Sequence, residues 1–117
     1  MSLIVTLPFP PATLSGHANG NGRWHKIALT KQWRAMAKRV TEEAGSIALP
    51  AEGDISLHLH FVMPDRRSDR LNCVNRSKSI VDGIADALGV NDRRFLPSIS
   101  FSGPLKPGKV IVTIGGV

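Results

Sequence analysis

Between Met63 and Phe95 the chain sets the carboxylates of Asp65, Asp69 and Asp92 among Arg66, Arg67, Arg70, Arg93 and Arg94. Collecting both signs so densely is costly unless something charged binds there, and a phosphate backbone with a divalent metal is the first candidate. A phosphodiester resists attack because its negative charge repels the nucleophile. A bound Mg²⁺ or Mn²⁺ neutralises that charge, polarises a phosphoryl oxygen and lowers the pKa of bound water. Such hard cations take oxygen ligands, so converging carboxylates are required. Asp69 and Asp92 flank a helical pattern and meet only if the fold brings its two ends together. A neighbouring lysine can orient the attacking water or stabilise charge building in the transition state. Lys78 lies one turn before Asp82 and, by spacing alone, forms an exposed pair with it worth about 0.3–0.5 kcal/mol.

The composition sets bounds on this reading. A length of 117 residues suits a single domain, 1–117, with a small core. An apolar fraction of 42% with 5% aromatics belongs to an ordinary globular protein, and no apolar run approaches the roughly 18 residues of a membrane span. The N-terminus MSLIVTLPFPP has neither a basic leader nor a long apolar stretch, so no secretory signal is expected. A single cysteine, Cys73, excludes an internal disulfide and reads as a small buried or half-buried helical residue. Fifteen Lys and Arg against nine Asp and Glu give a formal charge of +6 and a pI near 10.3. That excess favours polyanionic partners, because each neutralised phosphate releases counterions.

The elements that must position these residues follow in order. Leu3 to Leu7 is a β-branched run ended by prolines, a first strand. Residues from Pro11 to about Thr30 carry Gly16, Gly20 and Gly22 among His17, Asn19 and Asn21, a turn-rich loop with no period. On that arm Arg23, Trp24 and Lys26 could lie along a sugar-phosphate backbone with Trp24 stacked on a base, or Trp24 and Ile27 could pin the loop to the core. Thr30 offers an N-cap to a helix whose stripe is Trp33, Met36, Ala37, Val40 and Ala44, closed by Gly45. Ile55, Leu57, Leu59, Phe61 and Met63 alternate with His58 and His60, which marks a strand. The two histidines could ligate a metal or simply lie on its polar side.

A second helix is expected over about Asn72 to Leu88, with Val74, Val81, Ile84, Ala85 and Leu88 inward and Gly89 as its cap. Strands at Ser98–Ser102 and Lys109–Ile114, joined through Gly103, Pro104, Pro107 and Gly108, read as a hairpin. The order strand, loop, helix, strand, helix, strand, strand describes a small α+β (α/β) domain, a mixed sheet of about four strands carrying two helices.

The stretch resembles the RusA family of Holliday junction resolvases, small phage and prophage endonucleases. The resemblance rests on a strand ending in MPDRR, on Asp69 and Asn72 of an Asp-x-Asp-Asn motif, on Lys78 with the helix KSIVDGIADAL, and on Asn91-Asp92 after it. The opening LIVTLPFPP fits as well, and length and element order agree across nearly the whole chain. The resemblance implies a metal-dependent homodimeric nuclease that nicks opposite strands of four-way junction DNA in recombination and repair, in the cytoplasm of a bacterial host. It implies Mg²⁺, for which Mn²⁺ can substitute, with no small-molecule cofactor and no membrane partner. By position it makes Asp69, Lys78 and Asp92 catalytic, with Asp69 and Asp92, and in one arrangement Asn72, on the metal. Arg66, Arg67, Arg70, Arg76, Arg93, Arg94, Arg23, Trp24 and Lys26 would then seat the DNA.

Two positions depart from the motif. Leu71 stands where the second Asp belongs, and Asn91 where the first of the paired Asp belongs. Anchoring on Asp69 needs about three extra residues before Lys78, close to one helical turn. Anchoring on Lys78 instead puts Asn72 and Val74 at the carboxylate positions. With fewer acidic ligands Mg²⁺ keeps more waters and binds more weakly. Either Asp65 or Asn72 completes the shell, or activity is lost and a junction-binding protein remains. A basic RNA-binding domain is a third reading, without an RNP-like aromatic motif to support it.

Overall fold

The computed structural model describes residues 1–14, 21–67 and 69–116, with the backbone alone at Asn21. Strands β1 (Ser2–Pro8), β2 (Ile55–Val62), β3 (Phe95–Ser102) and β4 (Lys109–Gly115) form one mixed sheet in the order β1-β4-β2-β3. Helices α1 (Asn21–Ala44), α2 (Arg70–Arg76) and α3 (Lys78–Leu88) complete the domain, with single 3-10 turns at Ala12–Leu14 and Asp92–Arg94. The small α+β class expected from the element order is what the chain adopts.

Alternation builds the core. Ile55, Leu57, Leu59 and Phe61 of β2, Leu3, Val5 and Leu7 of β1, and Val110, Val112 and Ile114 of β4 are all buried. They pack in one cluster with Ala37 of α1 and with Ile80, Ile84 and Ala85 of α3. Each such aliphatic side chain removed from water contributes roughly 1.5–3 kcal/mol. The expected stripe of α1 is borne out at Trp33, Met36 and Val40 beside buried Ala37, but not at Ala44, which ends the helix exposed. Cys73 is fully buried, and that burial pushes its thiol pKa up.

The opposite sheet face is open and leaves Ile4 exposed. There His58 and His60 alternate with serines of the neighbouring strand. His58 hydrogen-bonds Ser98 (2.6 Å) and Ser100 (2.7 Å), and His60 hydrogen-bonds Ser100 (2.5 Å) and Ser102 (2.8 Å). Among the described residues no group of three His, Cys, Asp or Glu side chains is placed to hold a metal ion.

Three expectations are corrected. First, β3 and β4 do not form a hairpin. Both pair with β2, β3 in parallel and β4 antiparallel, so β2 lies between them. The parallel pair needs a crossover, which α2 and α3 supply. Residues 103–108 then cross the end of β2, where the Leu105 N–H donates to the Met63 carbonyl at 2.7 Å. Second, α1 starts at Asn21, so Thr30 lies within the helix and is no N-cap. Its hydroxyl donates to the Lys26 carbonyl at 2.8 Å, the i−4 back-bond that lets a threonine sit in a helix. Third, the helix expected over 72–88 is two helices that bend at Ser77 (φ −86°, ψ −3°), whose own hydroxyl donates to the Val74 carbonyl at 2.6 Å.

α1 and α3 approach closely at Gly83. A Cβ there would stand 2.3 Å from the Arg34 carbonyl oxygen and 2.7 Å from the Ala37 Cβ. One turn along, Arg34 grips Asp86 with two hydrogen bonds, 2.7 Å from Nε and 2.9 Å from Nη2.

Candidate functional site

Lys78 opens α3, and Asp82 follows one turn later on the same face. At the far end Gly89 takes the left-handed conformation (φ 67°) and ends the helix. The chain turns back, and Asn91 caps the next 3-10 turn by accepting the Arg93 N–H at 3.0 Å. Asp92 is thereby returned to Lys78. The ammonium Nζ donates to Asp82 Oδ1 at 2.8 Å and to Asp92 Oδ2 at 2.5 Å. Two carboxylates, fourteen and four positions from Lys78, thus converge on one cation. The hydrogen bonds to Asp82 and then Asp92 raise the Lys78 pKa, and the bond from Lys78 holds the Asp92 carboxyl below its usual range.

Asp69 stands elsewhere. It is the N-cap of α2, accepting the Leu71 N–H at 2.9 Å, and α2 extends about 10 Å between it and the start of α3. Its carboxylate lines an open cleft of about 700 Å³ with Asp65, Arg66, Arg70 and Phe101. Lys78 and Asp82 line a different cleft of about 460 Å³, together with Lys26, Thr30, Arg76 and Ser79. The fold therefore joins Lys78 to Asp92, adds Asp82, and sets Asp69 on a separate cleft. Asn72 is exposed on α2.

Of the cations expected at nucleic acid, Arg23, Arg66, Arg67 and Arg93 are exposed. Arg70 sits 5.8 Å from the centre of the Phe101 ring. Arg94 is spent internally, donating to the Gly53 and Pro50 carbonyls at 3.0 and 2.7 Å, so it fastens the loop before β2. Trp24 is 70% exposed, so it does not pin the N-terminal arm to the core. Lys26, carried inward by the early start of α1, meets Arg76 and Lys78 at one cleft.

No protein-family model matches the chain. A protein of Xylella fastidiosa (strain Temecula1 / ATCC 700964), described as an uncharacterized protein, is 36% identical over 118 residues, spanning 97% of this chain and 76% of that protein. The chain belongs to the same family as that Xylella protein.

The donor set fits a hard divalent cation in one respect. Asp82 and Asp92 already bring anionic oxygens to a common point, now neutralised by the Lys78 ammonium. Spacing alone showed the Lys78–Asp82 pair but treated it as a surface ion pair. Asp82 is the residue it undervalued, because nothing local tells that a third group will arrive on the same ammonium. No helix among the described residues is long and apolar enough to cross a membrane.

Proposed function

We propose that this protein is a RusA-like, Mg²⁺- or Mn²⁺-dependent endonuclease that resolves four-way DNA junctions as a homodimer. The observation that carries the reading is the meeting of Lys78 with Asp92 across the length of α3, the pair that the motif resemblance makes catalytic. A divalent ion would supply charge neutralisation at the phosphate and a more acidic water. Asp92 and Asp82 would be the carboxylates to hold it, with Asp69, on a separate cleft, as the motif's own candidate. Lys78, released from the carboxylates, would donate to the phosphate oxygens and stabilise charge there. Arg66, Arg67, Arg93 and Arg23 would seat the flanking backbone, with exposed Trp24 available to stack on a base.

A second reading has its own support. Leu71, at the position of a motif carboxylate, is 77% exposed and cannot ligate a metal, which favours a junction-binding protein with weakened chemistry. A synthetic four-way junction separates the two. Cleavage that requires Mg²⁺ or Mn²⁺ and disappears in Asp92→Asn, with binding retained, supports the nuclease. Binding without cleavage under either ion supports the second reading, and Leu71→Asp then asks whether the missing carboxylate is the cause.

A further inference from the structure

The cleft of about 700 Å³ that carries Asp69 also holds a group with no part in the nuclease chemistry, the ring of Phe101. Phe101 stands near the end of β3, and its ring stacks on fully buried Phe61, with centres 5.5 Å apart and planes at 20°. Phe9 meets Phe61 in turn, edge to face at 6.4 Å. The Phe101 ring is thereby anchored from the core while remaining only half-buried. Over it, 5.8 Å from its centre, lies the Arg70 guanidinium. A core-anchored ring beneath a guanidinium plane is a stacking platform that is set before any ligand arrives.

Four charged side chains share the cleft with that ring, Asp65, Arg66, Asp69 and Arg70. Their mixture of signs disfavours the simpler occupants. A phosphate would face two carboxylates, a metal ion two guanidinium groups, and an apolar group would desolvate all four charges. A flat heteroaromatic with donors and acceptors on its rim suits them all, stacking on the platform while guanidinium and carboxylate meet its edge. Among the bases guanine matches best, because it presents an acceptor pair, O6 and N7, and a donor pair, N1–H and N2–H. A guanidinium takes the first pair in two parallel bonds, and a carboxylate takes the second. We propose that this cleft binds an unpaired nucleobase, guanine in preference to the other three. The base stacks against Arg70 and Phe101, Arg66 donates to O6 and N7, and Asp69 accepts from N1–H and N2–H. The Leu71 N–H already donates to Asp69 Oδ1, which fixes the carboxylate and leaves it further lone pairs. Only the source of the base, a DNA strand, rests on the function proposed above, since the site needs neither metal nor cleavage.

The test uses the full chain at low salt without divalent metal. The nucleotides dGMP, dCMP, dAMP and dTMP are titrated in turn, with deoxyribose 5-phosphate as the control that lacks a base. Phe101 ring protons and arginine side-chain N–H resonances are followed. Saturable shifts at Phe101 and Arg70, with dGMP bound at least about tenfold more tightly than the other nucleotides or the sugar phosphate, uphold the site. Arg66→Lys changes an exposed side chain and keeps its charge but loses the paired donors, so it should abolish the preference for guanine. Phe101→Leu should weaken all four nucleotides, with the fold checked by circular dichroism. Equal affinity for the four nucleotides, an equal response to the sugar phosphate, or an undiminished guanine preference in Arg66→Lys overturns the proposal. Junction cleavage is scored separately: nucleotide binding without cleavage keeps the base site and sinks the nuclease, and cleavage without nucleotide binding does the reverse.

Discussion

Lys78 Nζ lies 2.5 Å from the Asp92 carboxylate, although the whole of α3 separates the two residues in sequence. The same ammonium also holds Asp82, so one cation fastens the start of α3 to the turn that follows its end.

That arrangement sets a pH signature. Lys78 has its pKa raised, so its contribution to stability is complete below the ordinary lysine value of about 10.4 and is lost as pH rises through the higher folded value. Asp92 has its pKa lowered, so its contribution is present above about pH 4 and is lost as pH falls through the lower folded value. Lys78→Met should therefore reduce stability most across the neutral range, and its urea midpoint should approach wild type at both extremes. A midpoint difference that stays constant from acid to alkali would mean that the ion pairs add nothing.

Gly83→Ala should be among the most damaging single-methyl changes in the chain. The added Cβ meets the Arg34 carbonyl and the Ala37 side chain, and the backbone atom cannot swing aside. Forcing α1 from α3 should cost about 1–3 kcal/mol or more, against the small gain that alanine brings to an ordinary helix site. Chemical denaturation measures it, and an unchanged or higher midpoint would contradict the close approach.

Particular residues show how much of this was legible in the chain. The period-two run Ile55 to Met63 and the stripe Trp33, Met36, Ala37 and Val40 reported their burial correctly, because alternation and helical spacing are local. The first ten residues of α1 left no such mark: Trp24 and Ile27 face solvent, so the helix is extended without an apolar stripe, each added residue needing only one further hydrogen bond. Gly103, Pro104, Pro107 and Gly108 look alike whether they reverse a hairpin or cross the end of β2. The choice between the two depends on which edge of β2 is free after the crossover. In the site, Lys78 and Asp82 were visible at i, i+4, but the return of Asp92 to Lys78 is a tertiary event.

Arg34 and Asp86 give an acid-range prediction. Two hydrogen bonds from Arg34 lower the Asp86 pKa, so the pair stabilises above the ordinary carboxylate value of about 3.9 and fails as pH falls through the lower folded one. Asp86→Asn should lower the melting temperature slightly near neutrality, the pair being solvent-exposed, and the gap from wild type should close in strong acid. A gap that widens on acidification would assign the loss to packing and not to the carboxylate.

The carboxylates can be ranked by exploiting what Asp69 already does for the fold. As N-cap of α2 it satisfies the Leu71 N–H, a role that asparagine fills about equally well and alanine does not. Asp69→Ala should therefore cost about 1 kcal/mol while Asp69→Asn leaves stability nearly unchanged. Any loss of junction cleavage in Asp69→Asn then reports chemistry alone. Asp82→Asn makes the matching change at the Lys78 cluster. If Asp82 and Asp92 form the metal seat, Asp82→Asn should lower cleavage by at least about tenfold and raise the Mg²⁺ concentration needed for half-maximal rate, with Asp69→Asn near wild type. The reverse ranking would move the seat to the cleft beside Arg66 and Arg70 and leave Asp82 as a partner that merely holds Lys78.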